Sequence, residues 1–304
     1  MVRNLDRDIK CLITLSGHSS PVESIAISPD SQTLASGSWD KTVKLWNLHS
    51  GELIRTIQSH STWVRVVAFS PDGQTVASGG EEWTTRLWDV KTGERLRTLQ
   101  MGVGEKERAI ISLAFSPDGK RLVSGSESGD SEVWDLETGE RLRVLGDYSR
   151  SASRLAIDPD GQLIAGSYLG NILVWSLTPL KFQREWEIPA GVIGGVAISP
   201  DSQVIAVGTD EATIELWNPH TGELLQTLSG HSARVAAVAF SPDGQTLVSG
   251  SKDKTVKLWN LNTAKIERSL EGHSERVTSV AFSPDSQKIV SSSFDKTIKV
   301  WGWQ

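Results

Sequence analysis

The chain has 304 residues, 38% hydrophobic and 22% charged, the composition of a folded globular protein rather than of a disordered or fibrous one. Its 31 Lys and Arg against 37 Asp and Glu leave a net charge of −6, which argues against nucleic acid or an anionic membrane as main partner, since both need clustered positive charge. A single cysteine, Cys11, excludes an internal disulfide and a Cys-based zinc site.

Taken in chain order, the first residues carry no apolar core of signal-peptide length, and no later run could span a bilayer. A cytoplasmic setting is therefore expected. A short strand at residues 10–15 comes first, followed by an apolar strand with Val22, Ile25 and Ile27. That strand ends at Ser28-Pro29-Asp30-Ser31, a tight turn in which Pro presets φ and Asp can bond its own backbone. Residues 34–38 and 42–46 give two more strands, the latter with the alternation of a half-buried strand. Ser50-Gly51 then turns the chain into a fourth, from Leu53 to Ile57.

This unit repeats. Trp46, Trp88, Trp134, Trp175, Trp217, Trp259 and Trp301 recur at spacings of 42, 46, 41, 42, 42 and 42, and the turn prolines at 29, 71, 117, 159, 200, 242 and 284 keep step. Two independent landmarks with one period mean seven structural repeats. No stretch has the 3.6-residue apolar period of a long helix, so the fold is all-β. The 46 spacing reflects four extra residues within 102–108.

Four strands per unit, with Gly17-His18 and Trp46-Asn47, His60 and Trp88-Asp89, Trp134-Asp135, Gly230-His231 and Trp259-Asn260, and Gly272-His273 and Trp301, resemble the WD40-repeat β-propeller family, in near-regular bacterial-type form. The resemblance covers residues 10–303. It implies a seven-bladed β-propeller of four-stranded antiparallel blades forming one domain over 1–304. The last unit stops at its third strand, so the strand at about 10–15 is expected to complete blade seven, closing the ring and removing sheet edges that invite aggregation.

His18, Ser36 and Asp40, then His231, Ser249 and Asp253, and His273, Ser291 and Asp295 imitate hydrolase triads. In the family resembled, such residues form a hydrogen-bonded tetrad with the Trp, here Trp46, Trp259 and Trp301. A nucleophile would need an open pocket and an oxyanion hole, and no G-x-S-x-G elbow is present. Repetition around a ring favours a structural network. Unit two has Glu82 in the Asp place. In units three to five the Asp place holds Ser128, Leu169 and Glu211, the Ser place holds Ser124, Ala165 and Val207, and the His place holds Asp147 and Pro189 in units four and five. Drift in blades held by their neighbours explains this erosion, with a contact surface at the inserted loop as the sharper reading. His49 and His220 sit in turns without a partner at ligand spacing, and neither metal nor cofactor is expected.

The resemblance also places contact residues on one face, flanking the first apolar residue of each unit and preceding the tetrad Asp. Those positions hold Glu23, Trp39, Trp63 and Arg65 in the first two units. They include Glu127 in the third, Ser151, Ser153 and Tyr168 in the fourth, and Gly194 and Asp210 in the fifth. The expected partner site is Trp39, Trp63 and Phe294 on consecutive units, with Arg65, Arg234, Lys252 and Arg276 beside them, because aromatic and Arg side chains anchor interfaces. Trp186 is assigned to the core, in the fourth-strand position of Leu15, Ile57, Leu228 and Leu270, while Trp83 could join the patch or only cover its own blade.

The function expected is a non-catalytic protein–protein interaction scaffold whose partner carries an acidic or phosphorylated segment. Nucleic acid and membrane are not expected partners, and a monomer is expected. Two alternatives stand beside it: a sensing or regulatory domain of a larger signalling protein, and a propeller enzyme or small-ligand binder using the central channel. The last would need convergent carboxylates or His near the axis, where the strand starts are mostly Val, Ile and Ala.

Overall fold

The computed structural model describes residues 8–101, 109–127, 129, 131–145, 154–166, 170–177, 179–187 and 191–304. Asp147, Ser151, Ser153, Tyr168, Leu169, Pro189, Ser128 and the insertion at 102–108 lie outside them. Among the described residues every regular element is a strand. The strands form seven antiparallel four-stranded sheets of a propeller. Their inner strands are Val22–Ile27, Val64–Phe69, Ile110–Phe115, Arg154–Ile157, Ile193–Ile198, Val235–Phe240 and Val277–Phe282. No helix is long and apolar enough to cross a membrane among the described residues.

Local chemistry explains the repeated hairpins. In the first turn the Ser28 hydroxyl donates to Asp30 (2.5 Å) and accepts from the Thr33 amide (2.8 Å), while Asp30 accepts from the Gln32 amide (3.0 Å). The residue after Asp takes a left-handed conformation, φ 60° at Ser31 and 71° at Gly73. Glycine adopts it without the steric penalty of a Cβ.

In the first sheet burial falls from the middle strands outward. The second strand Thr33–Ser38 and third strand Thr42–Asn47 are almost wholly buried, while the fourth, Leu53–Gln58, exposes Leu53 and Ile54. The cores lie between sheets. Ala35, Val43, Leu45 and Ile57 of the first pack on Val64, Val67, Val76 and Trp88 of the second. Each sheet thus buries its face only against a neighbour, as repeat architectures require.

The strand expected at 10–15 runs over Ile9–Ser16 and pairs with Thr297–Trp303, Leu15 opposite Ile298 and Ile9 opposite Trp303. It supplies the fourth strand of the sheet containing Val277–Phe282. Leu15, Val290, Ile298 and Val300 share a core with Val22, Leu34 and Trp46 of the first sheet. Thr278 donates to the Val22 carbonyl (2.6 Å) and the Asp285 amide to the Ser31 hydroxyl (3.2 Å), so the same seam is hydrogen-bonded.

Candidate functional site

The polar quartets are the groups that most resemble reaction centres. In the first sheet the Trp46 indole N–H donates to the Ser36 hydroxyl at 2.8 Å, Ser36 meets His18 Nε2 at 2.8 Å, and His18 Nδ1 meets Asp40 at 2.7 Å. The sixth and seventh sheets repeat the series through Trp259, Ser249, His231 and Asp253, and through Trp301, Ser291, His273 and Asp295, at 2.7–2.9 Å. A neutral imidazole with its proton on Nδ1 satisfies every group: Trp donates to Ser, Ser to His, and His to Asp. Ser36, Ser249 and Ser291 are each 0% exposed, so no substrate atom can reach the hydroxyl. Burial opposes ionisation of Asp253, yet hydrogen bonds from Thr255, the Ser232 amide and His231 outweigh it and hold its carboxyl down at about 2.

The second sheet keeps half of this arrangement. Trp88 donates to Ser78 (2.8 Å) and Ser78 meets His60 Nε2 (2.9 Å), but His60 Nδ1 is 3.6 Å from Glu82 and has no hydrogen-bond partner. The longer Glu side chain instead accepts from the Ser61 amide and hydroxyl, the Thr62 amide and Arg86. Burial, then the Arg86 charge, lower the His60 pKa to about 4. The third sheet retains Trp134 donating to Ser124 at 2.9 Å. In the fifth, where Val207 replaces Ser, the Trp217 N–H donates to Glu215 at 3.1 Å, and burial raises the Glu215 pKa. The erosion read from sequence is thus partly repaired, by a residue two positions before the Trp.

The upper face joins several expected partner residues. Trp39 and Trp63 stack with centroids 4.1 Å apart and planes 2° from parallel, and Phe294 meets Trp39 edge-on at 4.8 Å and 78°. The Arg276 guanidinium lies 3.4 Å from the Phe294 ring centroid, and that of Arg65 lies 6.0 Å from Trp39 and 3.6 Å from Glu81. Trp63 is 41% exposed. Arg234 is held by Asp210 at 3.0 Å and the Ile193 carbonyl at 3.3 Å, and Lys252 is exposed. Of the seven expected residues, Trp39, Trp63, Phe294, Arg65 and Arg276 share ring contacts, and Arg234 and Lys252 join Arg65 and Arg276 only in lining the central cavity.

Trp83 takes φ 57° in the turn before the third strand and makes no ring contact with this cluster. Trp186 lies opposite Ile172 in the outer strand, partly buried against the fifth-sheet core. His49 and His220 are exposed in turns. Among the described residues no group of three His, Cys, Asp or Glu could hold a metal ion.

One feature escaped the sequence. In six inner strands the pairing register slips just after the first residue, between Val22 and Ser24, Val64 and Val66, Ile110 and Ser112, Ile193 and Gly195, Val235 and Ala237, and Val277 and Ser279. A β-bulge re-aims the skipped side chain, and each skipped residue lines a central cavity of 390 Å³. Glu23 and Arg65 reach the axis this way. Arg154 also lines the cavity, although its position is occupied by Ser, Val, Gly or Ala in the other sheets. The channel entrance is consequently charged, not apolar as the strand starts suggested. A lone Arg in a column of small residues was the available signal.

The family profile described as WD domain, G-beta repeat matches residues 9–47, 51–89, 93–135, 139–176, 182–218, 222–260 and 264–302. The small ribosomal subunit protein RACK1y of Oryza sativa subsp. japonica is 33% identical over 66 residues, 22% of this chain and 20% of that protein. The WD repeat domain-containing protein 83 of Xenopus tropicalis is 37% identical over 57 residues, 19% of this chain and 18% of its own. The vegetative incompatibility protein HET-E-1 of Podospora anserina is 56% identical over 41 residues, 14% of this chain and 3% of its own. The matched segments thus span one fifth or less of each of these relatives.

Proposed function

Because the chain belongs to the WD40-repeat family, with repeats matched from residue 9 to 302, we propose that it is a non-catalytic scaffold that docks a peptide or protein on its upper face. The same proposal makes it one domain, a closed ring of seven blades, acting as a monomer in the cytoplasm. Seven four-stranded sheets, packing of each inner strand on the next, and packing of Val277–Phe282 back on Val22–Ile27 support the ring.

The observation that carries the docking site is the aromatic cluster. Trp39, Trp63 and Phe294 come from three different sheets, yet converge on one spot with Arg276 and Arg65 over their rings. Trp63 keeps much of its area exposed. Large rigid rings beside guanidinium groups bury area at little entropic cost and offer donors to acidic or phosphorylated groups. The buried hydroxyls of the polar quartets support the non-catalytic reading.

A second reading, a sensing domain of a larger protein, is favoured by the high local identity to HET-E-1, of which the matched segment is only 3%. It would use the same face. The test is a peptide panel (acidic, phosphorylated and neutral) offered to the intact chain and to a Trp63→Ala, Arg276→Glu double variant. Acidic or phosphorylated peptides should bind the first only, with both melting alike. Equal binding by the two would move the site off this face.

A further inference from the structure

We propose that the axial cavity is a receptor for a single phosphoryl-type oxyanion, held by Arg65, Arg154, Arg234 and Arg276, which converge from four different sheets. This goes beyond the aromatic docking face, because none of the clustered rings lines the cavity. The volume of 390 Å³ is ample for one tetrahedral anion with its waters.

The donor supply is the first support. The four guanidinium groups and Lys252 all line the cavity, in a chain whose net charge is −6. Glu81 and Asp210 hold Arg65 and Arg234, but no carboxylate lies within ion-pair distance of Arg154, Arg276 or Lys252 among the described residues. Among the described residues Arg154 uses one donor, to the Ile111 carbonyl at 3.3 Å. The Nε of Arg65 is buried and has no partner. Planar guanidinium forks match the oxygen spacing of phosphate.

Electrostatics agree with the geometry. Burial, then the like charge of Arg234, lower the Arg154 pKa to about 10, even with Glu23 and Glu127 opposing. A guanidinium so perturbed is a cation short of counter-charge, which a bound dianion supplies. Glu23 and Glu127 also line the cavity, and the Glu23 Oε2 is buried without a partner. These carboxylates offset part of the positive charge, and a cavity of 390 Å³ has room for one phosphoryl group rather than for a nucleic-acid strand.

Inorganic phosphate, inorganic pyrophosphate, a phosphoserine peptide with its unphosphorylated twin, and a single-stranded RNA homopolymer are titrated calorimetrically into the intact chain at low and high salt. Parallel titrations use Arg154→Gln, Arg65→Gln and, as a control on an exposed turn, Lys91→Gln. Binding of phosphate or pyrophosphate, weakened by salt and at least about tenfold by Arg154→Gln or Arg65→Gln but not by Lys91→Gln, supports a free-anion source. Binding of the phosphopeptide alone, with the same dependence, supports a phosphorylated side chain. Two cavity variants on different sheets guard against one misfolding. The proposal is overturned if no phosphoryl probe binds at millimolar concentration, if binding ignores both substitutions, or if the RNA binds best. Such a failure is distinguishable from failure of the aromatic docking face, which acidic peptides and the Trp63→Ala, Arg276→Glu variant test separately, and Trp63→Ala should leave free phosphate binding intact.

Discussion

Trp39 and Trp63 lie parallel to within 2° at 4.1 Å although they stand on neighbouring sheets, 24 positions apart in the chain. The pair ties two sheets together at the surface and leaves Trp63 41% exposed. Trp63→Ala should therefore cost little stability, about 1 kcal/mol, while removing most partner binding. Peptide titration beside a thermal melt separates the two effects.

A glycine packs against the backbone of Trp63. Ser38, Ser251 and Ser293 occupy the place that is Gly80 in the second sheet, where an added Cβ would stand 2.0 Å from the Trp63 carbonyl oxygen. Gly80→Ala must shift backbone, at a cost of about 1–3 kcal/mol. The near-ultraviolet circular dichroism of the coupled indoles should collapse with it. An unchanged spectrum would show that the stack tolerates that shift.

His60 gives the second sheet a pH dependence. Its folded pKa, about 4, lies below the ordinary histidine value of 6.5. The unfolded chain therefore binds more protons between those limits, and stability rises with pH from about 4 to about 6.5. The full contribution stands above 6.5, and is worth up to about 3 kcal/mol. Denaturant melts across this window should flatten when His60→Gln is introduced.

Glu215 has the opposite sign. Burial raises its pKa, so its neutral form is favoured in the folded chain, and its favourable contribution is lost as pH rises through the folded value. Glu215→Gln keeps an acceptor for Trp217 without the buried charge. It should stabilise the chain by about 1 kcal/mol at pH 7, and the difference should vanish below pH 4. Equal melts of both forms at pH 7 would contradict this.

Removing residues 1–16 strips the partner strand from Thr297–Trp303 and takes Leu15 from the seam core. A drop in the melting midpoint of more than about 10 °C is expected, since losing one large buried side chain alone costs about 2–5 kcal/mol. Calorimetry of the truncated chain decides it.

Sequence alone determined the all-β repeat and the four strands of each unit, and the resemblance to WD40 repeats implied the hydrogen-bonded quartets. Strand alternation, the Ser-Pro-Asp turn and the Trp spacing are local signals renewed every 42 residues or so, and Ser36, His18, Asp40 and Trp46 match the positions that form the tetrad in the family resembled. The strand at Ile9–Ser16 was legible for the same reason, being one period ahead of Leu53–Gln58. Tertiary structure decided the rest. A register slip of one residue turns Glu23 and Arg65 toward the axis, and no local pattern marks a bulge whose cause is the pairing itself. Glu215 replaces a missing Ser only because the strand brings its carboxylate under the Trp217 indole. Arg154 meets Arg234 and Arg65 through space, across sheets distant in the chain. Periodicity along a chain specifies what each sheet buries, whereas convergence at an axis depends on how the sheets are turned toward one another.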